Sequence, residues 1–112
     1  MDIKSEMIDD VMLMRIEGRL DASTSPDLEA KVKDALADGH STILFDMEKL
    51  SYISSAGLRV VLITGKQTKA AKGGFAIFAL QPTVKEVFDI SGFATILKIR
   101  DDLATAREAL SS

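Results

Sequence analysis

A chain of 112 residues with 46% hydrophobic and 28% charged residues has the balance of one soluble globular domain, able to bury roughly two-thirds of the surface its unfolded form exposes. Five Phe, one Tyr, no Trp and a net charge of -3 offer neither stacking platforms nor an extended phosphate-binding face, which argues against direct binding of nucleic acid. The lack of cysteine excludes disulfides and thiolate metal sites, and no apolar run approaches the ~20 residues that span a bilayer, so membrane insertion is not expected.

The N-terminal run Met1 to Glu6 carries acids and no apolar h-region, so it does not read as a signal peptide, and a cytoplasmic location is expected. Ile3 to Ile8 and Val11 to Ile16 are apolar-rich runs around Asp9-Asp10, a pattern that predicts an antiparallel hairpin closed by Gly18. Arg19 to Pro26 reads as a loop, with Ser25 as N-cap and Pro26 at the first helical position. Leu28, Val32, Ala35 and Leu36 then fall at helical spacing on a first helix that ends near Gly39.

Thr42 to Phe45 is β-branched and aromatic enough for a central strand, and Asp46 and Leu50 lead out of it into Ser51 to Arg59. Here adjacent hydroxyls and Gly57 prepare a second helix from about Ser55 to Lys72, stopped by Gly73-Gly74. Phe75 to Leu80 reads as a buried strand, Gln81-Pro82 opens a third helix through Val84, Val87, Phe88 and Ile90 to Gly92, and Ile96 to Ile99 is a last strand. Asp101-Asp102 can cap a terminal helix carrying Leu103, Ala106 and Leu110. The alternation implies an α/β fold spanning residues 1–112, with a mostly parallel sheet, one antiparallel edge strand and about four covering helices.

Enzymatic chemistry finds little support. The only histidine, His40, lies in the Gly39-His40-Ser41 loop with nothing to bring it to Ser55, and the glycine-serine-glycine elbow of the hydrolases is missing, which leaves a small serine hydrolase as a weak alternative. Asp9-Asp10 and Asp101-Asp102 have turn and cap roles and do not suggest a metal site, while Gly73-Gly74 is a helix stop and no nucleotide loop, so neither metal nor cofactor is expected. The second helix has two apolar faces, one with Leu58, Val61, Leu62 and Gly65, the other with Ala56, Val60, Ile63 and Gln67. Either it is wedged between sheet and neighbour, or Val60 and Ile63 are exposed beside Ser55 as a protein-binding patch.

Three segments carry a family resemblance: Gly18-Arg19-Leu20-Asp21, Ser51 to Leu58 with Ser54-Ser55-Ala56-Gly57-Leu58 at its centre, and Pro82 to Gly92 continuing into Phe93. Together they resemble the bacterial anti-sigma factor antagonists, the sulfate-transporter-and-antagonist (STAS) domains. The resemblance implies a non-enzymatic partner-switching module. An anti-sigma factor with serine kinase activity, of the histidine-kinase-like ATPase type, binds such a module and phosphorylates one serine, and a metal-dependent serine phosphatase reverses the step. Position by position, the phosphorylated serine falls on Ser55 and the acidic loop residue on Asp21, which can equally be a turn or cap residue. Gly57 and Leu58 match the helix-start positions. Ser54 stands where the best-known members have Asp, and Ala56 where they have a second serine, so Ser54 is a competing phosphate acceptor. A STAS subunit of a lipid transporter complex, working without a kinase, is the alternative within the same family.

Overall fold

A computed structural model describes residues 1–110 of the chain. Strands β1 (Asp2–Ile8) and β2 (Val11–Leu20) form the expected hairpin, antiparallel from Ile8↔Val11 to Asp2↔Glu17. Its two-residue turn is possible because Asp9 adopts φ 55°, a conformation Asp tolerates better than β-branched residues, and its carboxylate pairs with Arg107.

Gly18 does not close β2. It lies at φ 102°, next to a register shift between Gly18 and Arg19, and the strand runs on to Leu20. The bulge bends β2 so that it changes partner along its length. Met12 to Arg15 pair in parallel with β3 (Thr42–Asp46), whereas Gly18 to Leu20 pair in parallel with β4 (Leu50–Ile53). Strand β4 thus replaces the direct lead into a helix expected after Leu50. It continues in the direction of β3 after a three-residue step, which carries the chain to the far end of β2.

Helix α1 (Ser25–Ala37) starts one residue earlier than expected, with Thr24 at the N-cap position and Ser25 already inside. Helix α2 (Ser55–Ala70) stops two residues short of Lys72, which itself takes φ 61°. Gly73 is required for a different reason: a Cβ there would fall 1.8 Å from the Ser41 carbonyl oxygen. Strand β5 (Gly74–Phe78) follows, then α3 (Pro82–Ser91), ended by Gly92 at φ 81°. A 3-10 turn (Phe93–Thr95) runs on into a turn at Ile96 and a bend at Leu97, so the strand expected from Ile96 to Ile99 forms only as β6 (Ile99–Arg100), and Ile96 is 63% exposed. Ile90, expected on the apolar face of α3, is also exposed. Helix α4 (Leu103–Leu110) is capped by Asp102, whose carboxylate accepts the Thr105 N–H at 2.8 Å.

The sheet order is β1-β2-β3-β5-β6, with β4 attached to the end of β2, and every pairing except β1–β2 is parallel. Side chains alternate across it as strand geometry dictates. Met14, Ile16, Ile43, Phe45, Phe75 and Ile77 join Leu28, Val32, Leu58, Val61, Val84 and Phe88 of α1, α2 and α3 in one core. Leu13, Leu44, Ala76 and Phe78 on the other face meet Ala106 of α4 in a second, smaller one. Three helices on one face therefore begin above the C-terminal ends of the strands.

Candidate functional site

The site is the end of the β2–β4 pair. Leu20 and Ile53 are register partners, so Asp21 and Ser54, the next residue on each strand, leave the sheet side by side. The Ser54 N–H donates to the Leu20 carbonyl at 2.9 Å, extending the ladder by one bond. Ser54 is then the N-cap of α2. Its backbone is extended (φ -97°, ψ 176°) and its Oγ accepts the Gly57 N–H at 3.3 Å, satisfying one of the free donors of the first turn. Ser54 is consequently half-buried and engaged, whereas Ser55, one residue on, is exposed. Among the described residues the Ser55 hydroxyl has no protein partner.

Gly57 holds the helix start close to the strands. A Cβ at this position would lie 2.8 Å from both Ile53 Cγ1 and the Leu20 carbonyl oxygen. Leu58 is 7% exposed and points into the core. Both residues are part of the seat of α2 and not of its accessible surface. The exposed patch centred on Val60 does not exist: Val60 is 4% exposed and belongs to the main core, because α2 packs against α1 as well as the sheet. Ile63 is half-buried.

Asp21 organises the loop that faces Ser54. One carboxylate oxygen accepts from the Ser23 hydroxyl at 2.8 Å, the Ser23 N–H at 3.0 Å and the Thr24 N–H at 3.2 Å. The Ser23 hydroxyl, followed by the two N–H groups, outweighs the opposing effect of burial and holds the carboxyl below its usual 3.8. The Thr24 hydroxyl lies 3.2 Å from the same oxygen but has a nearer acceptor in the Arg19 carbonyl at 2.8 Å. Asp21 is thus a loop and cap residue, and its second oxygen lies 3.9 Å from Arg19 Nε.

Two residues complete this surface that the sequence reading did not single out. The Arg19 guanidinium carbon lies 4.1 Å from the centroid of the Tyr52 ring, a cation–π stack across the β2–β4 register pair, and Tyr52 is 41% exposed. The one available signal was the chain's single tyrosine, set between Ser51 and Ile53, whose exposure depends on recognising β4.

No base approaches Ser55 from the chain's single histidine. His40 lies between the end of α1 and the start of β3, at the N-terminal end of the parallel strands, whereas Ser55 follows the C-terminal end of β4. Among the described residues no group of three His, Cys, Asp or Glu side chains could hold a metal, and no helix is long and apolar enough to cross a membrane.

A family model for the STAS domain matches residues 2–106. The chain belongs to the STAS domain family. Over its full length it is 35% identical to BtrV of Bordetella bronchiseptica, provisionally named an anti-sigma factor antagonist, and covers 93% of that protein. SpoIIAA, an anti-sigma factor antagonist of Bacillus, has been solved unphosphorylated (TM-score 0.74, 26% identity, 98% of this chain and 96% of that one). Its phosphorylated form gives a TM-score of 0.75 at 27% identity, with 98% and 97% covered. A crystal structure from Thermotoga maritima, provisionally assigned to the same class, shares the fold with a TM-score of 0.92 at 22% identity, covering 98% of this chain and 95% of that one. In this STAS domain the site described above is the junction of strand ends and the α2 N-terminus.

Proposed function

We propose that this STAS domain is an anti-sigma factor antagonist, itself without enzymatic activity, that works by partner switching in the cytoplasm. Its unmodified form binds an anti-sigma factor with serine kinase activity of the histidine-kinase-like ATPase type. The observation that carries the reading is the contrast between two neighbouring serines: Ser54 is committed to capping α2, while Ser55 is exposed with its hydroxyl free. Phosphoryl transfer would form a bond between Ser55 Oγ and the γ-phosphorus of ATP, break the bond to ADP and pass the hydroxyl proton to a base on the kinase. The product carries about -1.5 to -2 further charges beside the ionised Asp21, on a surface where Tyr52 and Arg19 supply the contact area. A partner seated on that surface is expelled by charge and desolvation, and a metal-dependent serine phosphatase restores the binding form. A structural relative, SpoIIAA, known in both phosphorylated and unphosphorylated forms, supports this cycle.

Intact mass after incubation with ATP and an extract of the source cells tests the reading. One added phosphate is expected on the wild type and on Ser54→Ala, and none on Ser55→Ala. Phosphate that persists in Ser55→Ala, or is absent from the wild type when the purified partner kinase is supplied, refutes it.

A further inference from the structure

Ser55 and Arg59 are both exposed and stand one turn apart on α2. Residues at i and i+4 are neighbours on a helix surface, with roughly 5–6 Å between their Cβ atoms. Helical side chains lean toward the N-terminus, so the patch that Arg59 covers is the turn containing Ser55. Among the described residues Arg59 has neither a hydrogen-bond nor an ion-pair partner. Arg19, the cation on the neighbouring strand, is already stacked on Tyr52 and set 3.9 Å from Asp21. The first turn of α2 carries no acidic residue, so in the unmodified protein Arg59 meets no negative charge on its own helix there.

We propose that Arg59 is the residue that receives the phosphate placed on Ser55. The inference rests on the phosphorylation reading above and extends it to how the modified state is held. With the anion at i and the cation at i+4, the pair has the stronger of the two helical orientations, and a guanidinium can grip phosphate through two parallel hydrogen bonds. The same geometry separates the two serines. Four residues beyond Ser54 lies Leu58, buried in the core, so a phosphate on Ser54 has no corresponding partner. Modification then changes the docking surface twice: it adds an anion and withdraws the Arg59 cation, which unmodified protein leaves available to an acidic partner.

The pairing is read without any kinase by installing phosphoserine at position 55 during translation, in the wild-type chain and in R59Q and R59K. Phosphorus NMR from about pH 4 to 8 follows the second ionisation of the phosphate, normally near 6. The charged groups at this end of the β2–β4 pair are Arg59 on α2, Arg19 near the end of β2 and Asp21 just beyond it, and only Arg59 differs between samples. Ionisation in the wild type is expected about 0.15 to 0.4 pH unit below that in R59Q, the size of an exposed helical ion pair, with R59K between them. The difference should shrink in about 1 M salt. Equal values in the wild type and R59Q overturn the proposal, as does an equal dependence on Arg59 when phosphoserine is placed at 54 instead. Unmodified R59Q should melt with the wild type, which separates loss of the pair from loss of the fold. Failure of the phosphorylation reading would show itself separately, as absence of phosphate on Ser55 after exposure to the kinase.

Discussion

Gly57→Ala tests how α2 is seated on the strand ends. On an exposed helix this change is favourable, since Ala exceeds Gly by about 0.8–1 kcal/mol in helix propensity. Here the new Cβ would lie 2.8 Å from Ile53 Cγ1, 2.8 Å from the Leu20 carbonyl oxygen and 2.9 Å from Leu20 Cγ. Leu20 and Ile53 are 0% and 3% exposed, and the Leu20 carbonyl already accepts the Ser54 N–H at 2.9 Å. None of these atoms can retreat by the several tenths of an ångström required without lifting α2 or parting β2 from β4. Overpacking of this severity costs about 2–3 kcal/mol, against which the propensity gain offsets about 1. The net loss of about 1–2 kcal/mol corresponds to a melting temperature lower by roughly 4–8 °C in a domain of this size. Thermal denaturation followed by circular dichroism, with urea unfolding as a second measure, reads the loss. A variant as stable as the wild type, or more stable, would show that α2 does not rest on Leu20 as described. Because Ser55 moves with the helix start, partner affinity should fall in the same variant.

Val60→Ala should cost about 2 kcal/mol, from two buried methyl groups and the space they leave, and should lower the urea midpoint without a specific loss of partner affinity at saturating folded protein. An affinity loss with unchanged stability would instead place Val60 on the docking surface. Asp21→Asn removes a charge while keeping an acceptor in the loop. Because the folded-state ionisation of Asp21 is depressed, its contribution is complete above the usual 3.8 and lost as pH falls through the lower folded value. Melting curves of wild type and Asp21→Asn should therefore differ by a constant amount at neutral pH and converge below about pH 4. Convergence on raising the pH would contradict the assignment.

Much of the architecture was legible because it depends on short-range patterns. The Asp9-Asp10 turn, the buried runs of β3 and β5, the Pro26 and Pro82 helix starts and the Gly92 stop are each encoded within a few residues, and each forms close to where expected. The parallel sheet followed from the alternation of strands and helices. Ser55 and Asp21 were located through the family resemblance; their chemistry was not visible in spacing alone. The misreadings share a cause. Strand β4 is four residues long and buried only at Leu50 and Ile53, so its period is hidden, and it is a strand because the bulge at Gly18 frees the end of β2 to pair with it. Val60 is buried because α1 covers that flank of α2, a fact no helical wheel contains.

By itself, the sequence determined the four helices and, β4 apart, the succession of strands, that the sheet is mostly parallel, and that a serine pair opens α2. Tertiary structure decided what each serine can do. Ser54 closes a hydrogen bond to the first turn and Ser55 is left facing solvent, while the Leu20–Ile53 pairing sets Asp21 beside them and stacks Arg19 on Tyr52. Local propensity acts over one or two turns of chain, whereas exposure and juxtaposition depend on residues more than thirty positions apart that meet only when the sheet is formed.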